Sequence, residues 1–332
     1  HAFSSLIAHN RTLNANQFGG GIYQQNGHVW LNGGTIYSNT SAYGGGLHIL
    51  QGQATLQEGV IRQNAAQNGA GVHVIDGDFT QIGGSIMNNT AAWNGGGVFL
   101  AYGSFTLLGG QVISNTAGER GGGVCAQSGV VTLHDGEISS NTAINGGGVY
   151  ADTDMALWRQ LGGHVSNNYA SSQGGGVFLY TAPAEISGGT VSGNRALNFG
   201  GGVFVYDSNS VYSQTGGMLI DNSADVGGAL YFGARSATVR NVAVVGNNAL
   251  RGAGVANQGN LELVNVTLSG NTASDYGGGV YNIYGPVTAT NVTIAYNQGS
   301  TAGGIYDNHR FTVRNVIIAN NNISHMDLWG II

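Results

Sequence analysis

The chain has 332 residues, of which 60 are glycine, 2 are proline and 8% are charged. So much glycine without a strict Gly-X-Y period excludes collagen, and the 42% of hydrophobic residues excludes a disordered low-complexity segment. The basic residues are all arginine, and the formal net charge of −6 predicts no nucleic-acid partner and no anionic membrane partner. A single cysteine excludes an internal disulfide framework, and no apolar stretch is long enough to predict a transmembrane segment.

The dominant feature of the sequence is a glycine block that recurs about every 25 residues. A few residues before most blocks lies an asparagine, and an aliphatic residue precedes it by three positions, as Ile36 precedes Asn39. A constant period of this length predicts a solenoid. The third residues of the blocks are Gly21, Gly46, Gly71, Gly97, Gly123, Gly148, Gly176, Gly202, Ala229, Gly254, Gly279 and Gly304.

The unit that begins at Gly97 shows the elements that we predict for one repeat. Residues 97–100, 105–108 and 111–115 are rich in apolar and β-branched residues, and turn residues separate them. Helical periodicity with caps is absent from the sequence. Three strands in about 25 residues predict one coil of a right-handed parallel β-helix, an all-β solenoid of about 12 coils of about 25–26 residues each.

We predict a single continuous β-helix over residues 1–332, in which the type of coil changes once. Over residues 1–235 a Gly-Gly pair usually precedes the third strand, as at Gly109 and Gly110. Over residues 236–332 an Asn-Val pair takes its place, as at Asn265 and Val266. A second asparagine ladder is therefore expected to replace the glycine pair in the last coils.

The residue after each glycine block is aliphatic from Ile22 to Ile305, which predicts a column that faces the core. Because side chains alternate along a strand, the next residue is expected to face outward. Most of these residues are aromatic, and we interpret them as an exposed binding stripe. The alternative is that the stacked rings only stabilise the sheet. The predicted stripe comprises Tyr23, His48, His73, Phe99, Tyr150, Phe178, Phe204, Tyr231, Tyr281 and Tyr306.

The recurring asparagine predicts a structural ladder. Asparagine tolerates left-handed turns, and its amide can hydrogen-bond to the amides of the coils above and below. Buried polar groups need partners, and stacking along the axis would supply them. The predicted ladder comprises Asn39, Asn64, Asn89, Asn115, Asn141, Asn168, Asn194, Asn222, Asn271 and Asn297.

The sequence does not gather the acids and bases that a polysaccharide-cleaving β-helix needs. The pairs Asp76, Asp78 and Asp152, Asp154 fall in corresponding turns, but three coils, roughly 14 Å, separate them. We therefore predict no enzyme activity, no catalytic residue and no cofactor, with weak Ca²⁺ binding at either pair as an alternative. The alternative function is a secreted protein that binds or cleaves polysaccharides.

Two further residue types in the predicted stripe were considered for chemistry. His48 and His73 lie on successive coils, about 5 Å apart, where two imidazoles could ligate a metal, but we predict ring stacking and no metal site. Cys125 lies in the same column without a histidine–acid arrangement. We interpret this cysteine as a substitution within the ladder and not as a nucleophile.

The order Ile-x-x-Asn-x-x-Ala, followed by a glycine block and an aliphatic residue, resembles the repeats of chlamydial polymorphic outer-membrane proteins. Ile36, Asn39, Ala42 and residues 44–47 carry this order, and residues 226–230 are the most similar to the second motif of that family. The resemblance covers nearly the whole chain. It implies a β-helical passenger that is exposed at the cell surface and used in adhesion.

We therefore expect an extracellular or cell-surface protein with a structural or adhesive role. The expected partners are glycans or proteins of a host or cell surface, or other copies of the chain joined end to end in a fibre. Neither the start of the sequence nor the apolar residues 328–332 predict a polar cap, which indicates either that this is part of a longer chain or that the ends contact other copies.

Overall fold

The computed structural model describes residues 5–12, 17–207, 210–233 and 236–321, and the backbone of one further strand, Met326–Trp329. The described residues form an all-β, right-handed parallel solenoid of about 12 coils without a helix, which confirms the predicted fold class. The chain divides into two compact units, residues 1–169 (unit 1) and residues 170–332 (unit 2).

The strands of unit 1 are short, with a few longer ones near its beginning. In chain order they are β1 (Leu6–Ala8), β2 (Ile22–Gln24), β3 (His28–Tyr37), β4 (Leu47–Arg62), β5 (Ala65–Asn68), β6 (Val72–Gln81), β7 (Ser85–Met87), β8 (Thr90–Asn94), β9 (Val98–Leu100), β10 (Ser104–Leu107), β11 (Gln111–Ile113), β12 (Thr116–Ala117), β13 (Val124–Ala126), β14 (Val130–Leu133), β15 (Glu137–Ser139), β16 (Thr142–Asn145), β17 (Val149–Ala151), β18 (Leu157–Gln160) and β19 (His164–Ser166). The division between the units falls within β20 (Tyr169–Gln173).

Unit 2 repeats the same pattern of strands. In chain order they are β21 (Val177–Leu179), β22 (Ala184–Ile186), β23 (Thr190–Ser192), β24 (Arg195–Ala196), β25 (Val203–Val205), β26 (Val211–Gln214), β27 (Met218–Ile220), β28 (Ser223–Val226), β29 (Leu230–Phe232), β30 (Ser236–Arg240), β31 (Ala243–Val245), β32 (Asn248–Arg251), β33 (Val255–Asn257), β34 (Asn260–Val264), β35 (Thr267–Ser269), β36 (Thr272–Tyr276), β37 (Val280–Asn282), β38 (Pro286–Thr290), β39 (Thr293–Ala295), β40 (Ala302–Asp307), β41 (Arg310–Arg314), β42 (Ile317–Ala319) and β43 (Met326–Trp329).

One coil of unit 1 shows how the sequence repeat becomes a column of residues. Strands β9, β10 and β11 are the three predicted strands, and β12 is a fourth, shorter strand that leads to the next glycine block. Each strand pairs in parallel with the equivalent strand of the adjacent coils, as β10 pairs with β6 and β14. Phe105 consequently lies opposite both Phe79 and Val131, so each sequence position forms a column along the solenoid axis.

The aliphatic residues after the glycine blocks form the core, as the alternation predicts. Val98 and Val124 in unit 1, and Val203 and Leu230 in unit 2, have no exposed surface, whereas Ile22 is half-buried. Burial of one such side chain contributes roughly 1.5–3 kcal/mol, so this column is a major source of stability in both units.

Candidate functional site

The residues of the predicted stripe occupy one column in each unit, which we call the ring column. Tyr23 is 47% exposed, but Phe99 is 7% exposed and Tyr231 is equally buried. The expectation of an exposed stripe is therefore wrong for most of the column. In unit 1 the column runs through Tyr23, His48, His73, Phe99, Cys125 and Tyr150. In unit 2 it runs through Phe178, Phe204, Tyr231, Ala256, Tyr281 and Tyr306.

A second row of side chains buries the ring column, and we call it the cover row. It consists of the residue immediately before each glycine block, and its members bridge in parallel from coil to coil. In unit 1 the row contains Phe18, Tyr43, Asn68, Asn94, Arg120 and Asn145. In unit 2 it contains Gln173, Phe199, Val226, Arg251, Tyr276 and Ala302.

The glycine block folds the cover row onto the ring column. Gly95, the first residue of its block, has a φ of +64°, and a Cβ at this position would lie 2.7 Å from the Cβ of Phe99. Only glycine accepts both the left-handed conformation and this close approach. The reversal brings the ring of Phe199 to 5.0 Å from that of Tyr231 in the next coil. The ring column faces outward from the core, as the alternation requires, but the next turn of the chain covers it.

The rings of the column are stacked in the first coils of unit 1, whereas those of unit 2 are tilted by 43–64°. His73 stacks on Phe99 at 5.1 Å, and Tyr23 stacks on His48 at 5.4 Å. Because the faces of the stacked rings are in contact with each other, ring edges are what the column offers to solvent. Binding by this column stays a prediction, and it would have to use those edges and the side chains beside them.

A groove lies between the two rows in unit 1, and its lining residues come from both rows and from the ends of the first strands. Its wider part has a volume of about 380 Å³ and contacts Phe18, Tyr43, Asn68, His73, Ile75, Phe99, Ala101 and Gln127. A narrower part of about 150 Å³ shares Asn68, Phe99 and Gln127 and continues to Asn94, Arg120, Cys125 and Asp152. The groove is thus mainly apolar at one end and polar at the other.

Arg120 and Asp152 form the charged end of this groove. The guanidinium lies 3.2 Å from a carboxylate oxygen of Asp152 and 5.2 Å above the ring of Tyr150. The hydroxyl of Tyr150 donates to the other oxygen of Asp152 at 3.4 Å, and burial raises the pKa of this tyrosine. Cys125 lines the same part of the groove, and burial also raises the pKa of its thiol. A protonated, buried thiol is a poor nucleophile.

The acidic residues considered for calcium lie in different environments. Asp76 and Asp78 are exposed, and Asp78 accepts a hydrogen bond from the hydroxyl of Ser104 at 2.6 Å. The carboxylate of Asp152 is already paired with Arg120. Calcium at Asp76 and Asp78 stays a prediction, and the arginine opposes a cation at Asp152. Among the residues that the structure describes, no three acids, histidines or cysteines form a metal-binding group.

The two histidines of the ring column stack with their centroids 4.9 Å apart and their planes 13° from parallel. A metal ion lies near the plane of each imidazole that ligates it. Two rings stacked face to face at this distance therefore do not share an ion in their observed orientation. Their outer faces stack on Tyr23 and on Phe99.

The predicted asparagines lie in a buried, hydrogen-bonded ladder in each unit. Asn271 shows the pattern: its Oδ1 accepts from the backbone N–H of Asn247 at 3.0 Å and from Nδ2 of Asn247 at 2.9 Å. Its own Nδ2 donates to Oδ1 of Asn297 at 2.8 Å and to the carbonyl of Val244 at 2.9 Å. The asparagine amides therefore join successive coils within each unit.

The ladder also contains residues that the sequence reading missed, although each has an aliphatic residue three positions earlier. These residues are Asn10, Asn247 and Asn321. A second difference concerns the turn, because the left-handed residue is the one before the ladder asparagine. Ser114, for example, has a φ of +55° and precedes Asn115.

A second, exposed asparagine ladder is present in the last coils of unit 2. Asn291 donates to Oδ1 of Asn265 at 3.2 Å and accepts from Nδ2 of Asn315 at 2.7 Å. These residues have φ values of +53° to +55°, whereas in earlier coils the left-handed residue of this turn is the second glycine of the pair, such as Gly110 or Gly217, which lies one position later. Where asparagine takes the place of the first glycine of the pair, the left-handed conformation of the turn therefore moves to the asparagine.

A parallel solenoid with a buried asparagine ladder defines the protein as a β-helix. The model for a right handed beta helix region matches residues 71–244, just over half of the chain, and the protein belongs to this family. The model for the Chlamydia polymorphic membrane protein repeat matches residues 265–283. Repeats of that kind are associated with proteins of the outer-membrane surface.

Searches of curated proteins and of solved structures gave no significant match. In the part of the chain that the structure describes, no helix is long and apolar enough to cross a membrane.

Proposed function

We propose that the protein is a non-enzymatic β-helix of the cell surface or extracellular space, and that it has a structural or adhesive role. The observation that carries this proposal is the groove of unit 1, where Phe18, Tyr43 and Phe99 adjoin the amides of Asn68 and Gln127. Aromatic and apolar walls with a few polar groups are typical of a site that receives a ligand.

The scaffold around the groove supports this role. Asn64, Asn89 and Asn115 hydrogen-bond in series beneath the same coils. Buried hydrogen-bonded networks of this kind hold a backbone in one arrangement, so the groove would be largely formed before a partner binds. The match to a surface-protein repeat at residues 265–283 supports display at a cell surface. The partner that we propose is a surface glycan or protein.

The test is a groove-filling substitution with a matched control. Ala101 lines the groove, so Ala101→Trp should block it, whereas Ala92 is exposed on β8 and Ala92→Trp adds the same side chain outside the groove. Wild-type protein should bind cells or members of a glycan array, and Ala101→Trp should weaken that binding at least tenfold without changing the thermal midpoint. Binding that Ala101→Trp and Ala92→Trp leave equally strong would contradict the proposal.

The enzymatic alternative has its own measurement. The same wild-type protein, incubated with acidic and neutral polysaccharides, should release no reducing ends and no unsaturated products. Release of either product would favour the polysaccharide-cleaving alternative over the adhesive one.

End-to-end assembly into a fibre is a separate part of the proposal. The outermost strands of a parallel stack leave backbone N–H and C=O groups unpaired, and a second copy of the chain could pair with them. Electron microscopy at increasing concentration should then show filaments, and single particles at the highest concentration would refute assembly.

A further inference from the structure

The histidine pair of the ring column has an unusual environment. His48 and His73 are 0% and 2% exposed, and they lie opposite each other on β4 and β6. Among the residues that the structure describes, neither ring nitrogen of His48 has a hydrogen-bond partner, and Nδ1 of His73 also lacks one. Buried polar atoms are normally paired, so this environment accepts an imidazole only in its neutral form.

The groups that surround the pair are rings. Phe18 lies 4.7 Å from His48, and Tyr43 meets His73 edge-on at 5.4 Å. Tyr23 stacks on the other face of His48, and Phe99 stacks on the other face of His73.

The titratable neighbours in these ring contacts are the phenols of the two tyrosines, and no carboxylate takes part in them. On β6 itself, Asp76 and Asp78 are exposed to solvent. The ion pair of Arg120 and Asp152 belongs to coils two and three positions beyond His73, roughly 10–14 Å away. The ring contacts therefore supply no negative charge to compensate a proton on either histidine.

Protonation would place two positive charges one coil apart in this apolar enclosure. Burial lowers the pKa of His48 to about 4, and burial together with the charge of His48 lowers the pKa of His73 to about 3. Phe18 is 43% exposed, and Phe18 and Tyr43 lie outside the regular strands, joined to neighbouring coils by isolated bridges and by backbone hydrogen bonds such as that from Gly19 N–H to the carbonyl of Tyr43. The cover formed by Phe18 and Tyr43 is therefore the part of this region that we expect to move with the smallest loss of free energy.

We propose that His48 and His73 make this part of unit 1 acid-sensitive: when the imidazoles take up protons, the cover formed by Phe18 and Tyr43 opens. Opening would let water reach both charges and would expose the wide part of the groove, which these residues line. The inference does not depend on whether the groove binds a partner.

Hydrogen–deuterium exchange of the whole chain tests the proposal. In the open form each histidine is exposed to water and has an ordinary pKa of about 6.5. Below that pH, each histidine therefore raises the equilibrium constant for opening about tenfold per pH unit, until the closed form also takes up protons. After correction for intrinsic exchange rates, residues 17–24 and 40–48 should lose protection about 100-fold per pH unit between pH 6 and pH 4. The equivalent segment 197–206 of unit 2, where Phe199 covers Phe204, should not change in this way.

Phenylalanine variants supply the matched comparison, because Phe99 and Phe204 show that this ring fits the column. His48→Phe or His73→Phe alone should reduce the slope to about tenfold per pH unit, and the double variant should abolish it. Should the double variant fail to fold, the single variants and an NMR titration of the wild-type imidazoles decide the matter. Two results would overturn the proposal. One is a double variant that loses protection with pH as the wild type does. The other is wild-type imidazoles that titrate near pH 6.5 while residues 17–24 and 40–48 stay protected.

Discussion

Removal of one amide from the buried asparagine ladder should lower the free energy of unfolding far more than the small size of the group suggests. The substitution Asn271→Ala deprives three buried groups of a partner: the backbone N–H of Asn247, one N–H of its Nδ2, and the carbonyl of Val244. Each buried group left unpaired costs roughly 1–3 kcal/mol, so we expect a loss of at least about 3 kcal/mol. The damage should be local, because each coil contacts only its neighbours.

The exposed ladder of the same unit provides the control. Asn291→Gly also removes an amide with two ladder hydrogen bonds, but water can replace them, and glycine accepts the φ of +55° at this position. We expect a cost below about 1 kcal/mol for this variant.

Denaturant unfolding followed by circular dichroism should therefore give a much lower midpoint for Asn271→Ala than for Asn291→Gly. Hydrogen exchange should assign the loss to the coils on either side of residue 271. If the two substitutions cost the same, the ladder is not the stabilising element that its geometry indicates.

Three further substitutions test particular features of the coils by denaturant midpoint. Tyr296 is 63% exposed and has a φ of +59°, so Tyr296→Asn should relieve left-handed strain and raise stability by up to about 1 kcal/mol; a lower midpoint would contradict this. Gly95→Ala should destabilise the protein by at least about 1 kcal/mol, because the new Cβ would clash with Phe99 and alanine does not favour the positive φ of this position. An unchanged midpoint would refute the role given to this glycine. Gln160 is fully buried, lies opposite Leu133, and has no hydrogen-bond partner for either amide atom among the residues that the structure describes. Gln160→Leu should therefore stabilise by about 1–3 kcal/mol, and destabilisation would show that the amide has a use.

The parts of the fold that repeat along the axis could be predicted from the sequence. The spacing of the glycine blocks gives the coil, and the column of Val98 and Val124 gives the core, because a stacked residue meets its own equivalent in the next coil. The ladder asparagines follow from the same argument. The sequence repeat was sufficient to predict these features, because its period determines which residues are neighbours along the solenoid axis.

The burial of the ring column could not be predicted in this way. Alternation correctly places Phe99 on the outer face of its strand, but its exposure depends on the angle at which the chain leaves the preceding strand. That angle is set by Gly95 and by the short strands β8 and β12, whose residues, such as Thr116, have no apolar pattern. Side-chain contacts across a turn are a tertiary property and leave no periodic signal.

Departures from the repeat are the positions most informative about function in such a chain. A residue that follows its column is explained by stacking, as Phe204 and Tyr231 are, and needs no further role. The ring column loses its consensus at His48 and His73, and the cover row of unit 1 changes from rings at Phe18 and Tyr43 to polar groups from Asn68 onward. His73 and Asn68 line the same groove of unit 1. Stability alone does not favour buried imidazoles whose nitrogens lack partners among the described residues, and the partly exposed ion pair of Arg120 and Asp152 adds little stability. We therefore infer that selection for a ligand or for acid sensitivity keeps these residues.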